Sequence, residues 1–140
     1  MTRLGLVALA VVTMLLTACA SSSQGDVGRS EVVPGGSYTK VSPAELQGML
    51  QNKDFTLVNV HIPFEGNLPK TDLSIPYNRI AREVDRLPGG KDAKLVLYCR
   101  SGSMSTSAAR ELVGLGYTNV WELDGGMHAW QRAGFQLEGS

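Results

Sequence analysis

The sequence is short of most features that would mark a partner. Its 140 residues carry 13 basic and 13 acidic side chains, so no net charge points to nucleic acid or to a strongly charged protein surface. There is no acidic tail, no internal repeat and no apolar run of the ~20 residues that a membrane-spanning helix requires. Aromatic residues are only 6% of the chain. Two histidines, His61 and His128, stand far apart and lack metal-ligand spacing, so no metal and no cofactor is expected. Two cysteines, Cys19 and Cys99, are too few for a disulfide-stapled scaffold. A chain of this length holds one domain.

What is present begins with an N-terminal export pattern. Arg3 precedes an apolar run from Leu4 to Leu16, and small residues follow, as in a secretory signal. Leu16-Thr17-Ala18-Cys19 resembles the bacterial lipobox. That resemblance implies a signal peptide over 1–18, cleavage before Cys19 and lipid on the Cys19 thiol. Several acyl chains, at ~0.8 kcal/mol per buried methylene, anchor a protein stably to a membrane. The expected location is therefore the cell envelope, lipid-anchored and facing the periplasm or the cell surface. Ala20 rather than an aspartate follows the cysteine, which argues against inner-membrane retention in a Gram-negative cell. Residues 19–37, with Ser21-Ser22-Ser23 and Pro34-Gly35-Gly36, read as a flexible tether.

Residues 38–140 read as the folded domain. Ser42-Pro43-Ala44-Glu45 has the form of a helix start with a capping box. Thr56–Val60 and Lys94–Tyr98 are continuous apolar runs, as expected of parallel strands covered on both faces. Ile62–Pro76 reads as irregular, and Tyr77–Leu87 as a short helix ended by Pro88-Gly89-Gly90. A helix over Ser103–Leu115, a strand over Asn119–Leu123 and a helix over Met127–Ala133 complete the pattern. Helices alternating with strands imply an α/β fold with a parallel sheet.

The chemistry concentrates in Tyr98-Cys99-Arg100-Ser101-Gly102-Ser103-Met104-Ser105, between a parallel strand and a helix. Ligand sites in open α/β sheets lie at the carboxyl ends of strands. The helix start offers unpaired amides and the positive end of its dipole. Small residues let the loop curl into an anion nest, and Arg100 adds a cation that favours a Cys99 thiolate. If Cys19 carries lipid, Cys99 is the sole free thiol. A plain buried cysteine would not need Arg-Ser-Gly-Ser after it, so Cys99 is the candidate nucleophile.

Cys99-Arg100-Ser101-Gly102 resembles the active loop of the rhodanese (thiosulfate sulfurtransferase) family in its single-domain form. Leu123-Asp124-Gly125-Gly126-Met127-His128-Ala129-Trp130 with Ala133-Gly134-Phe135 resembles the closing signature of that family. The resemblance implies a central parallel sheet of about five strands with helices on both faces. It also implies transfer of sulfane sulfur from a small thiosulfate- or persulfide-type donor to a thiophilic acceptor, a thiol or cyanide, through a Cys99 persulfide. A protein sulfur acceptor is a further possible partner. By the same resemblance Arg100 pairs with the anionic donor, and the amides from Arg100 through Ser101, Gly102, Ser103 and Met104 to Ser105 cradle the persulfide.

Three departures bear on substrate. Met104 stands where relatives commonly have Arg or Thr, which removes a cation or hydroxyl from the rim and favours a less charged donor. Asn59-Val60-His61 replaces the usual Asp-Val-Arg, and Glu65–Asp72 replaces the usual Gly-His-Ile-Pro-Gly-Ala. His61 follows a strand end and is a candidate pocket residue, whereas His128, Trp121 and Trp130 read as bystanders or packing and Asp124 as a turn former. A sulfur carrier without turnover is the competing reading. Phosphatase activity would need a histidine before Cys99 and an arginine six residues after it, where the sequence has Tyr98 and Ser105.

Overall fold

A computed structural model describes residues 25–140. The signal-like segment, the lipidation candidate Cys19 and the first part of the tether lie outside the described residues. Among the described residues no helix is long and apolar enough to cross a membrane.

Six strands form one sheet in the order β1-β2-β6-β5-β3-β4. They are β1 (Arg29–Val33), β2 (Gly36–Val41), β3 (Thr56–Asn59), β4 (Leu73–Ser74), β5 (Leu95–Tyr98) and β6 (Val120–Leu123). Every pairing is parallel except β1 with β2. Side chains alternate across the pleat, and this splits the core into two layers. Val58, Leu95 and Leu97 face α2 (Ser103–Gly114), which buries Ala108, Ala109, Leu112 and Val113 against them. Leu57, Val96, Tyr98 and Leu123 face the other way. There they meet Leu46 of α1 (Pro43–Met49) and Met127 and Trp130 of α3 (Gly126–Arg132). The continuous apolar runs are thus central strands with both faces covered, the α/β arrangement with helices on both faces that the alternating pattern implies.

The capping box at α1 is formed. Ser42 Oγ accepts from the Glu45 N–H at 3.3 Å, and Glu45 Oε2 accepts from the Ser42 N–H at 2.7 Å. Three segments differ from the sequence reading. Residues 29–37, assigned to the tether, form a hairpin with the start of the domain, with Pro34-Gly35 at its turn. β1 is an edge strand left largely in solvent, with Val32 exposed, so it carries no alternating apolar signal. Leu73–Ser74, read as irregular, adds a two-residue parallel strand beside β3. The helix expected over Tyr77–Leu87 is instead two 3-10 stretches, Tyr77–Arg82 and Val84–Arg86, with Ile80 as the buried anchor of the first.

Candidate active site

β5 lies between β3 and β6, in the interior of the sheet, and Cys99 is the first residue beyond it. The chain must turn sharply there to enter α2. Gly102 makes that turn in the left-handed region at φ +98°. The turn folds the Gly102 N–H back onto Cys99 Sγ at 3.1 Å. Cys99 is 1% exposed. The amides of Ser103 and Met104 belong to the first turn of α2, where no earlier helical carbonyl can accept them. Of the amides expected to cradle the sulfur, Gly102's alone is hydrogen-bonded to it among the described residues.

The loop is held from its other side by the start of α3. The Met127 N–H donates to the Cys99 carbonyl at 2.9 Å, and the His128 N–H donates to that of Arg100 at 3.0 Å. This contact requires a bare backbone at Gly126, where a Cβ would lie 2.4 Å from the Cys99 oxygen. Gly126 of the closing signature therefore lets the start of α3 brace the active loop, 26 to 27 residues away in sequence.

Arg100 is not free. Its Nη1 is paired with Glu65 Oε1, and its Nε–H donates to His128 Nε2 at 2.8 Å. Glu65 also bonds His61 Nε2, so His61, Glu65, Arg100 and His128 form one chain across the mouth of the loop. The His61 and Arg100 hydrogen bonds hold the Glu65 carboxyl below the usual carboxylate range. His61 thus reaches the active loop through Glu65, with its side chain 8% exposed and Nδ1 unpartnered. His128, read as a bystander, contacts Arg100 through its ring.

Asn59 explains part of the rebuilt wall. Its amide donates to Gly66 O and Asn67 Oδ1, both at 3.0 Å, and its Oδ1 accepts from the His61 N–H at 3.0 Å. An aspartate could not make the two donations. Met104 leans on the core layer under α2 rather than standing at the rim. Ser101 and Ser103 are exposed and line a surface depression of about 510 Å³ with Lys40, Thr106, Arg110 and Asp124.

Beneath Gly102 lies a group the sequence reading missed. Glu122 is fully buried. Its Oε1 accepts from Ser105 Oγ at 2.6 Å, and Ser105 Oγ is 3.4 Å from Cys99 Sγ. Burial pushes the Glu122 carboxyl up to about 7, against the opposing effects of the Ser105 hydroxyl and Lys40. A sequence signal existed: Glu122 is a charged residue within an otherwise apolar strand, Val120-Trp121-Glu122-Leu123.

The sequence profile of the rhodanese-like domain matches residues 42–133, about two thirds of the chain. The chain belongs to the rhodanese-like family. Among curated relatives, a sulfurtransferase of Allochromatium vinosum is 35% identical over 94 residues, covering 65% of this chain and 85% of that protein. The thiosulfate sulfurtransferase GlpE of Pseudomonas syringae pv. syringae is 33% identical over 99 residues, covering 67% of this chain and 88% of that protein. The crystal structure of a rhodanese-related protein from Thermoplasma volcanium superposes with a TM-score of 0.60 at 25% identity. That match covers 70% of this chain and 95% of the other. For this rhodanese-like domain, family and relatives together support a role in sulfur transfer.

Proposed function

We propose that this rhodanese-like domain is an envelope-anchored sulfurtransferase that works through a persulfide on Cys99. The observation that carries the reading is the Cys99 sulfur at the carboxyl end of β5, with the Gly102 N–H donating to it at 3.1 Å. With thiosulfate, the Cys99 thiolate attacks the sulfane sulfur. A new S–S bond forms, the S–S bond of the donor breaks, and sulfite leaves with the bonding electron pair. The charge that the thiolate brought departs with sulfite, and the terminal persulfide sulfur keeps the negative charge it carried in the donor. An acceptor, a thiolate or cyanide, then takes that sulfur and returns Cys99 to the thiolate. In this reading the free first-turn amides of α2 bind the negative charge on the added sulfur.

The charge pattern at the mouth narrows the donor. Arg100 is already neutralised by Glu65, and Met104 supplies no cation. A dianion such as thiosulfate meets a carboxylate at the mouth, so a persulfide-type donor of lower charge density is the better substrate. The lipobox-like Leu16-Thr17-Ala18-Cys19 supports placement at the membrane through lipid on Cys19. A protein sulfur acceptor fits that placement.

The test is sulfur transfer to cyanide or a dithiol from thiosulfate and from a low-molecular-weight persulfide, with Cys99→Ser as control. Turnover by the wild type, lost in Cys99→Ser, supports the proposal, and equal turnover by both refutes it. Mass spectrometry separates the alternative, a carrier of the same fold. One added sulfur atom on Cys99 that persists in the presence of acceptor, without turnover, marks a carrier. Metabolic labelling with palmitate, compared with Cys19→Ala, tests the anchor.

A further inference from the structure

Glu122 is unusual in its surroundings. A carboxyl with no solvent contact needs partners for both oxygens, yet only Oε1 has one. Oε2 makes no hydrogen bond, and the closest cation, Lys40 Nζ from β2, stands 3.9 Å away. Lys40 is itself drawn outward to Asp124, at 3.3 Å, on the wall of the surface depression. The other groups facing this carboxyl are Asp124 after β6 and Glu31 of β1, both acidic, and Ser105 of α2. A neutral side chain of the same shape would satisfy Ser105 equally well. What the site keeps instead is a group that can gain and lose a proton.

The path to the sulfur is continuous. Ser105, buried in the first turn of α2, has one hydroxyl proton and two lone pairs. Its Oγ lies 2.6 Å from Glu122 Oε1 on one side and 3.4 Å from Cys99 Sγ on the other. The hydroxyl can therefore donate to the carboxylate while accepting from the thiol.

We propose that Glu122 is a positioning residue that takes the Cys99 proton through the Ser105 hydroxyl. The proposal rests on the reading of Cys99 as the nucleophile. As the thiol proton moves to Ser105 Oγ, the serine's own proton moves to Glu122 Oε1. The products are a thiolate, an intact serine hydroxyl and a neutral carboxyl. One negative charge is present before and after, so the buried site never has to hold two at once. The charge moves from Glu122 to the sulfur, where the Gly102 N–H meets it. When the persulfide is discharged, the proton parked on Glu122 can return by the same route. The burial that raises the Glu122 carboxyl toward neutrality makes the exchange accessible near physiological pH. Lys40, adjacent to Oε2 and lining the depression, stands between the carboxyl and solvent.

Two groups sharing a proton titrate as a pair. The thiolate ultraviolet absorbance of the full chain, taken as wild type minus Cys99→Ser, should rise in two steps with pH. In Glu122→Gln, which keeps an oxygen for Ser105 but cannot take the proton, one step should remain. Ser105→Thr, which retains both the hydroxyl and Glu122, should keep the two-step curve. A single step in the wild type, or an unchanged curve in Glu122→Gln, overturns the proposal. A second readout needs no Glu122 variant: the Glu122 carboxyl carbon, followed by NMR, should titrate in two phases in the wild type and in one in Cys99→Ser. Identical curves in the two proteins also overturn it. Both measurements use the resting protein without donor. A failure of sulfur transfer therefore leaves them readable, and successful transfer with unchanged titrations removes only the relay.

Discussion

Replacing Gly126 by alanine separates two physical contributions that the structure assigns to one residue. Gly126 has φ +57°, a left-handed conformation that disfavours any side chain by ~1–2 kcal/mol. Its absent Cβ would also lie 2.4 Å from the Cys99 carbonyl oxygen and 2.8 Å from the carbonyl carbon and oxygen of Arg100. All three atoms are backbone of the active loop, so no side chain can rotate to make room. Overpacking of this kind costs ~1–3 kcal/mol. The sum, ~2–5 kcal/mol, is a large share of the ~5–15 kcal/mol that holds a domain folded. Gly134 provides the control. It too is left-handed, at φ +90°, but a Cβ there meets nothing within 4 Å. Gly134→Ala should therefore lose only the conformational part. Urea unfolding of both variants gives the difference directly, as a midpoint shift at constant slope. The Gly126 variant should also lose sulfur transfer while still folded, because the Met127 and His128 N–H bonds to the loop carbonyls cannot keep their length. Equal destabilisation of the two variants, within ~0.5 kcal/mol, would refute the claim that the closing glycine braces the loop.

Two further outcomes follow from the charges. Glu65→Gln releases Arg100 and removes the carboxylate from the mouth of the loop, so kcat/KM for thiosulfate should rise several-fold, with the gain shrinking at high salt. An unchanged value would show that the pair does not govern donor choice. The Glu122 carboxyl is raised from 4.5 to about 7 on folding, so between those values the native state holds more protons than the unfolded chain. The Glu122 contribution to unfolding free energy should thus be greatest below about 4.5, decline as pH rises to about 7, and then level off, by an amount on the order of 3 kcal/mol. Glu122→Gln should lack that part of the decline in denaturation measured across the range, and a slope equal to wild type would contradict the assignment.

Much of the domain was legible because its signals are local. The capping box at Ser42 and Glu45 involves residues three apart, and a helix start needs nothing else to be recognised. The apolar runs of β3 and β5 are long enough, and apolar enough on both faces, to read as buried parallel strands. The placement of Cys99 between such a strand and a helix marked it as the candidate reactive group. The 3-10 stretches at Tyr77–Arg82 and Val84–Arg86 were misread as a helix because their apolar spacing suits either geometry over so few residues. β1 was misread as tether because an exposed edge strand is held by its pairing to β2, which leaves no periodic mark.

By itself, the sequence determined the α/β class and the family and picked out a candidate nucleophile, since each is written in contiguous residues or in two motifs of fixed form. Only the tertiary structure decided what surrounds the sulfur. Glu65 was one acid in an irregular segment until the fold set it against Arg100 and His61. Glu122 lies 23 residues beyond Cys99, and only the parallel pairing of β5 with β6, with α2 laid across them, brings its carboxyl to Ser105. Cys99 stood out as the candidate nucleophile from its own loop, whereas the charged groups around it come from strands and turns that are neighbours only after folding.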